Sequence, residues 1–239
     1  MAGRVRRRRD THQSLGWCDR GRTPSRGFRG SLARQSPRLS RSHRWTLRSA
    51  HDVRERRHGE CDHPGARDVT SPRPVVLVTG AGAGIGRACA ITLASHGYHV
   101  IAADRDEGSA ESTTRHIGDH GGFGDAHVCD VTDSAAVDAM VDMIIRKHGA
   151  LDGAVNNAGI SGARVGIADL DDEAWIQTRS IDLDGVLYCM RAEIRAMRPR
   201  GRGSIVNMAS ILSTVAVSNA AAYITAKHGV LGLTRSAAL

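Results

Sequence analysis

From residue 75 onward the chain alternates short apolar bursts with segments of helical period, and this alternation restricts its fold more than any other feature. The bursts span 75–79, 99–104, 126–129, 151–156 and 204–208, each of strand length. Helices are expected over 84–97, 108–119, 133–148, 171–199 and 221–237. Strands separated by crossover helices run in the same direction, so the expected architecture is α/β, a doubly wound parallel sheet in three α/β/α layers. The fourth helix shows its period in Leu183, Val186, Leu187, Met190, Ile194 and Met197, which recur at three- and four-residue steps on one face. Asp171, Asp172 and Glu173 open that helix, where carboxylates suit the positive end of its dipole.

Ahead of residue 75 the composition changes. Residues 1–74 hold 19 Arg, no Lys and 7 acidic residues, a net charge of +12, whereas 75–239 hold 14 basic and 18 acidic residues, a net −4. The overall +8 therefore describes a mildly acidic domain behind a very basic leader. Only 8 of the first 74 residues are Leu, Ile, Val or Phe, too little apolar area to offset chain entropy. The leader is expected to be disordered by itself, and 75–239 is long enough to bury a core. Arg4, Arg6, Arg7, Arg8 and Arg9 suit phosphate contacts or an organelle transit peptide. Arg outnumbers Lys 31 to 2 over the whole chain, a sign of GC-rich coding, and untranslated GC-rich DNA read in frame yields the same Arg, Gly, Pro, Ser and His mixture. A start codon placed too far upstream, a solvated tail, a polyanion-binding arm and a targeting segment all remain open. A nucleic-acid partner is not expected. His58, Cys61 and His63 match no usual metal-ligand spacing, and no metal site is expected.

No run approaches the roughly eighteen apolar residues of a membrane helix, and nothing resembles the apolar stretch of a secretory signal. Cys18, Cys61, Cys89, Cys129 and Cys189 are odd in number and contain no Cys-x-x-Cys pair. Free, buried thiols in a reducing, cytoplasmic compartment fit them best.

The first burst runs into Gly80-Ala81-Gly82-Ala83-Gly84-Ile85-Gly86 and then into a helix. Glycines there allow a tight turn and close backbone approach, so the helix N-terminus can aim its amides at a diphosphate. A glycine-rich loop alone is a weak signal, but here a strand precedes it, a helix follows and an acid, Asp104, ends the second strand. A carboxylate at that place accepts both ribose hydroxyls and repels a 2′-phosphate, so NAD is expected rather than NADP. Read alone, Asp104 is a turn residue, and Arg105 beside it can pair with a phosphate.

The spacing Thr79-Gly80-x-x-x-Gly84-Ile85-Gly86 resembles that of the short-chain dehydrogenase/reductase family. Asp130-Val131 resembles the family's adenine-contacting pair, and Asn156-Asn157-Ala158-Gly159 its Asn-Asn-Ala-Gly signature. Ser210, thirteen residues before Tyr223, and Tyr223-Ile-Thr-Ala-Lys227 match its active-site motif. The resemblance covers residues 75–239 and implies a Rossmann-like sheet and an NAD-dependent oxidoreductase that interconverts a secondary alcohol and a ketone. By this resemblance the cofactor contacts are Gly80, Ala83, Gly84, Ile85, Gly86, Asp104, Asp130, Val131, Asn157, Ala158 and Gly159, with Tyr223 and Lys227. It also implies a homodimer paired through the fourth and fifth helices.

Tyr223 and Lys227 stand four apart on one helix and so share a face. Alone, such a pair is most simply a surface tyrosine and lysine; the cofactor loop in the same chain makes it a candidate for catalysis. A phenol is a poor base at neutral pH, but a neighbouring ammonium favours the phenolate, making Tyr223 the candidate general acid/base. By the resemblance, Lys227 also holds the nicotinamide ribose and Ser210 the substrate oxygen. Two departures stand out. Where the family carries a catalytic Asn, seven positions after Trp175, this chain has Asp182. An ionised carboxylate cannot donate a hydrogen bond, and its charge near Lys227 opposes phenolate formation, so a raised Tyr223 pKa and a more alkaline optimum are expected. The family fold also continues through two further strands and a substrate cap, so 75–239 is expected to be an incomplete domain in which strand 204–208 has an open edge. A catalytically silent nucleotide-binding remnant is the alternative reading. The stretches 160–169 and 211–220 are mostly small or apolar, which suggests an apolar cyclic or aliphatic alcohol.

Overall fold

The computed structural model describes residues 46–49 and 73–239. Six strands form one sheet: β1 Thr46–Ser49, β2 Val75–Thr79, β3 His99–Asp104, β4 Phe123–Val128, β5 Gly153–Asn156 and β6 Ser204–Asn207. The helices are α1 Gly84–Ser95, α2 Glu107–Asp119, α3 Ser134–His148, α4 Asp172–Arg179, α5 Gly185–Met197 and α6 Ala221–Ala237. Every pairing is parallel, in the order β1-β6-β5-β2-β3-β4. The chain is thus the doubly wound, Rossmann-like α/β fold that the alternation predicts.

Along β2 and β3 both faces are buried, as a sheet covered on two sides requires. Val76, Val78, Val100 and Ala102 pack against Ala90 and Ala94 of α1 and Ile117 of α2. Val75, Leu77, Ile101 and Ala103 face the other way, onto Val137, Met140 and Ile144 of α3, Met190 of α5 and Val230 of α6. Leu77 and Ile101 are register partners with no exposed surface. Each gains about 1.5–3 kcal/mol from that burial, so truncating either breaks the layer at its centre.

Three expectations need correction. Strand 204–208 does not have an open edge: β1, from within the basic leader, pairs with it from Thr46↔Ser204 to Ser49↔Asn207. Strand 126–129 instead occupies Phe123–Val128, because its ladder with β3 begins at His99↔Phe123. Gly124 belongs in that ladder for a steric reason, since a Cβ there would lie 2.9 Å from the Val100 carbonyl oxygen. Finally, 171–199 is one continuous path but not one regular helix. A π-helical turn at Ser180–Asp184 joins α4 to α5, and a 3-10 turn at Arg198–Arg200 ends it. Val186, Met190 and Met197 are buried as the period predicts, but Leu187 is exposed.

Cys89, Cys129 and Cys189 are free thiols. Cys18 and Cys61, the arginine run and the His58/Cys61/His63 group lie outside the described residues. Among the described residues no helix is long and apolar enough to cross a membrane.

Candidate active site

A cavity of about 640 Å³ opens where the strands end and the connecting loops meet. That is the end at which open α/β sheets bind ligands. It is bordered by Gly80, Ala83, Gly84, Ile85, Asp104, Asp130, Val131, Asn157, Ala158 and Gly159, and by Asp182, Ser210, Tyr223 and Lys227. Of the residues expected to contact cofactor or substrate, only Gly86 does not line it. Gly86 instead allows close packing: a Cβ there would lie 2.1 Å from the Gly80 carbonyl oxygen and 2.4 Å from Asn157 Nδ2.

The glycine loop is shaped by its neighbours. Gly80 takes φ +63°, and a Cβ on it would lie 2.8 Å from Ala158 Cα. Asn157 Nδ2 donates to the carbonyls of Thr79 and Gly80 at 3.1 and 3.2 Å. Thr79 Oγ1 accepts from the amides of Asn157 and Ala158 at 3.1 and 3.2 Å. The loops after β2 and β5 are therefore locked together, and Thr79 is a positioning residue that the motif contains without advertising. Asp106, Asp133 and Asp171 cap α2, α3 and α4 through their carboxylates. By contrast α1, which starts at the glycine loop, and α6, which carries Tyr223, have no side-chain cap. At α1 that leaves first-turn amides for a ligand, and a Cβ on Gly84 would meet nothing within 4 Å. An anionic group such as a diphosphate fits this cradle.

Asp104 sits at the end of β3, where Oδ2 accepts from the Gly82 amide at 2.9 Å and Oδ1 from the Asp106 amide at 3.1 Å. Arg105 also reaches the cavity wall. Asp130 closes a turn, accepting from the Thr132 amide and hydroxyl at 2.9 and 2.8 Å.

At the far side of the cavity the groups are more deeply buried. Asp182 lies in the π-helical turn with no exposed surface. Such turns often mark functional positions, because the widened ladder re-aims side chains. Its Oδ1 accepts from the Ile160 amide at 2.7 Å, and Oδ2 lies 3.5 Å from Lys227 Nζ with no hydrogen bond. A Cβ on Gly159 would come within 3.3 Å of both carboxylate oxygens, so a larger residue there would require Asp182 to give way by a few tenths of an ångström. Lys227 is 4% exposed; its Nζ donates to the Met208 carbonyl at 3.0 Å and lies 5.6 Å from the centre of the Tyr223 ring. Burial pushes the Asp182 carboxyl up, against the pull of Lys227 and the Ile160 amide. Burial likewise pushes the Lys227 ammonium down, against the pull of Asp182. Asp182 thus favours the ammonium, as its sign predicts, but desolvation outweighs it.

Ser210 is held at the head of a 3-10 turn, Ile211–Ser213. Its hydroxyl oxygen accepts from the Leu212 amide at 3.1 Å, and its amide donates to Ser213 Oγ at 3.1 Å. The hydroxyl proton is left to point elsewhere. The structure therefore gathers Ser210, Tyr223, Lys227 and Asp182 around one cavity. Sequence reasoning missed the Met208 carbonyl and the Ile160 amide, which as backbone groups leave no mark in side-chain identity.

The family profile described as short chain dehydrogenase matches residues 74–239. A 3beta-hydroxysteroid dehydrogenase of Mediterraneibacter gnavus is 41% identical over 165 residues, 69% of this chain and 59% of that protein. The solved structure of an actinorhodin polyketide ketoreductase with NADPH superposes with a TM-score of 0.67 at 35% identity, covering 69% of this chain and 64% of the other. An NAD+-bound xylitol dehydrogenase gives a TM-score of 0.67 at 34% identity, with coverages of 69% and 63%. The chain thus spans about three fifths of the length of these relatives. With its glycine loop, its Tyr223/Lys227 helix and this match over most of its length, the chain belongs to the short-chain dehydrogenase family.

Proposed function

We propose that this protein is an NAD-dependent oxidoreductase that interconverts a secondary alcohol and a ketone. The observation that carries this reading is the convergence of Ser210, Tyr223 and Lys227 on the cavity that the uncapped α1 N-terminus also borders. A bound nicotinamide dinucleotide would supply the hydride acceptor. The residues that would hold it are the 80–86 loop and α1 amides at the diphosphate, Asp104 at the adenosine ribose, Asp130 and Val131 at the adenine, and Asn157–Gly159 with Lys227 towards the nicotinamide. Asp104 disfavours a 2′-phosphate by charge, which supports NAD over NADP; the two structural relatives carry one of each.

In the oxidative direction the Ser210 hydroxyl donates to the substrate oxygen and Tyr223 Oη removes its proton. The Lys227 ammonium, fixed by the Met208 carbonyl, stabilises the phenolate that must form first. Asp182 holds the Ile160 amide and so positions the loop that floors the cavity. Ile160, Ile181, Met208 and Ala209 add an apolar wall, which supports an apolar cyclic alcohol as substrate. A homodimer through helices 171–199 and 221–237 accords with exposed Ile176 and Leu187 on the first of these.

The test is NAD reduction by cyclohexanol and related cyclic secondary alcohols, followed at the nicotinamide absorbance. Tyr223→Phe should lower kcat by about 10²–10⁴-fold with NAD affinity retained. Cofactor binding with no turnover in the parent chain would instead establish a silent nucleotide-binding protein.

A further inference from the structure

At the opposite end of the sheet from the cavity, three distant parts of the chain bring ligating groups together. His99 is the first residue of β3, Asp125 the third of β4, and His148 the last of α3. The β3–β4 register pairs His99 with Phe123, and Asp125 follows Phe123 by two, so His99 and Asp125 project from the same face. His148 is four residues after the buried Ile144 and so continues the core-facing stripe of α3 onto that face. Asp125 Oδ2 receives all the contacts: His99 Nε2 at 3.0 Å, His148 Nε2 at 3.0 Å and Lys147 Nζ at 2.9 Å. The His148 contact lacks hydrogen-bond geometry, so its buried Nε2 has no hydrogen-bond partner. The two rings lie 4.5 Å apart, tilted by 51°. An arrangement in which two imidazoles and an ammonium crowd one oxygen, with one ring nitrogen unsatisfied, is a poor hydrogen-bond network.

It is a good ligand set. We propose that His99, Asp125 and His148 form a structural site for a divalent transition metal of the zinc, cobalt or nickel type. The three ligating atoms lie within 4.8 Å of one another. Tetrahedral zinc with bonds near 2.0–2.2 Å needs its ligands about 3.3 Å apart, so the widest pair would close by up to about 1.5 Å, shared between two side chains. Two imidazole nitrogens and one carboxylate oxygen suit borderline metals rather than calcium or magnesium. Lys147 holds the place a cation would take, and its side chain, 55% exposed, swings away into solvent at little cost. Water completes the coordination from the open side. The metal would clamp the C-terminus of α3 to the β3–β4 edge, far from the reacting groups, so it stabilises the fold and takes no part in hydride transfer.

The experiment uses the full chain, stripped with chelator, and Zn²⁺ alone as the probe, read by thermal unfolding and competition with a chromogenic chelator. Zn²⁺ should raise the melting temperature of the parent, since it binds the folded state. Loss of an outer-shell partner already costs about 10–100-fold in metal affinity, so His148→Ala and Asp125→Asn should each lower it by about 100-fold or more and abolish the rise. Lys147→Gln, which changes an exposed side chain, should tighten binding by removing the competing cation. That variant carries the test if His148→Ala fails to fold. A parent with no Zn²⁺-dependent rise, a rise that survives His148→Ala, or Lys147→Gln with unchanged or weaker affinity would each overturn the site.

Discussion

Asp182 and Glu193 lie on one helical path, both without exposed surface, yet their neighbours oppose burial differently. Asp182 borders the cavity and has an ammonium at 3.5 Å and a backbone amide at 2.7 Å. Glu193 points into the core between α5 and the sheet, where Oε2 accepts from Asn156 Nδ2 at 3.0 Å and Oε1 has no partner. Burial pushes the Glu193 carboxyl up to about 7 with one amide to oppose it. The same desolvation acts on Asp182, but a cation and an amide oppose it there. Burial raises both carboxyls, and the neighbours decide how much opposes that rise.

The strongest way to break this comparison is to remove the cation. Lys227→Met leaves Asp182 buried without a counter-charge and should cost about 3–5 kcal/mol in denaturant unfolding, together with turnover. An unchanged midpoint would mean that the pair contributes nothing. A smaller effect is expected from Glu193→Gln. The folded-state pKa of Glu193 lies above its ordinary 4.5, so its contribution to stability is present below about pH 4.5 and is lost as the pH rises to about 7. The variant should match the parent near pH 4 and exceed it by up to about 3 kcal/mol at pH 8. Parallel stability curves across that range would refute the assignment. The smallest change in stability belongs to Asp182→Asn, which keeps an oxygen for the Ile160 amide while removing the charge. Its effect should fall on catalysis instead, since the negative charge whose repulsion opposes the phenolate is gone while the Met208 carbonyl still holds Lys227 Nζ in place. The pH–rate profile should move down by about one pH unit, and superimposable profiles would sink the idea.

Much of this was legible in the sequence, for identifiable reasons. The central strands are apolar runs bounded by turns, and β2 and β3 emerged as expected because burial on both faces leaves no other composition. The glycine loop and the Tyr223/Lys227 spacing are local, and the helix carries them to one face. What was hidden is non-local or conformational. The π-helical turn at 180–184 leaves Ser180 and Gly185 with ordinary right-handed helical dihedrals, so nothing in residue type announces it. β4 starts early because β3 supplies a ladder that accepts Gly124 and Asp125, both poor strand formers. β1 is a strand of four residues that pairs only through distant β6, so its own segment carries no signal for it. The His99/Asp125/His148 group joins residues as much as 49 positions apart, which no spacing rule detects.

The pairing of β1 with β6 has a consequence for the order in which the protein assembles during synthesis. Thr46 meets Ser204, 158 residues later, whereas β2 meets β3 after only 24. At about 5–20 residues per second, the leader strand leaves the ribosome roughly 8–30 s before its partner exists. The middle of the sheet can pair in that interval, β2 with β3 and β3 with β4, each across a single helical crossover with partners 24 residues apart. Of the described strands, the first made is therefore the last to be seated, added to an edge that the later strands have already built.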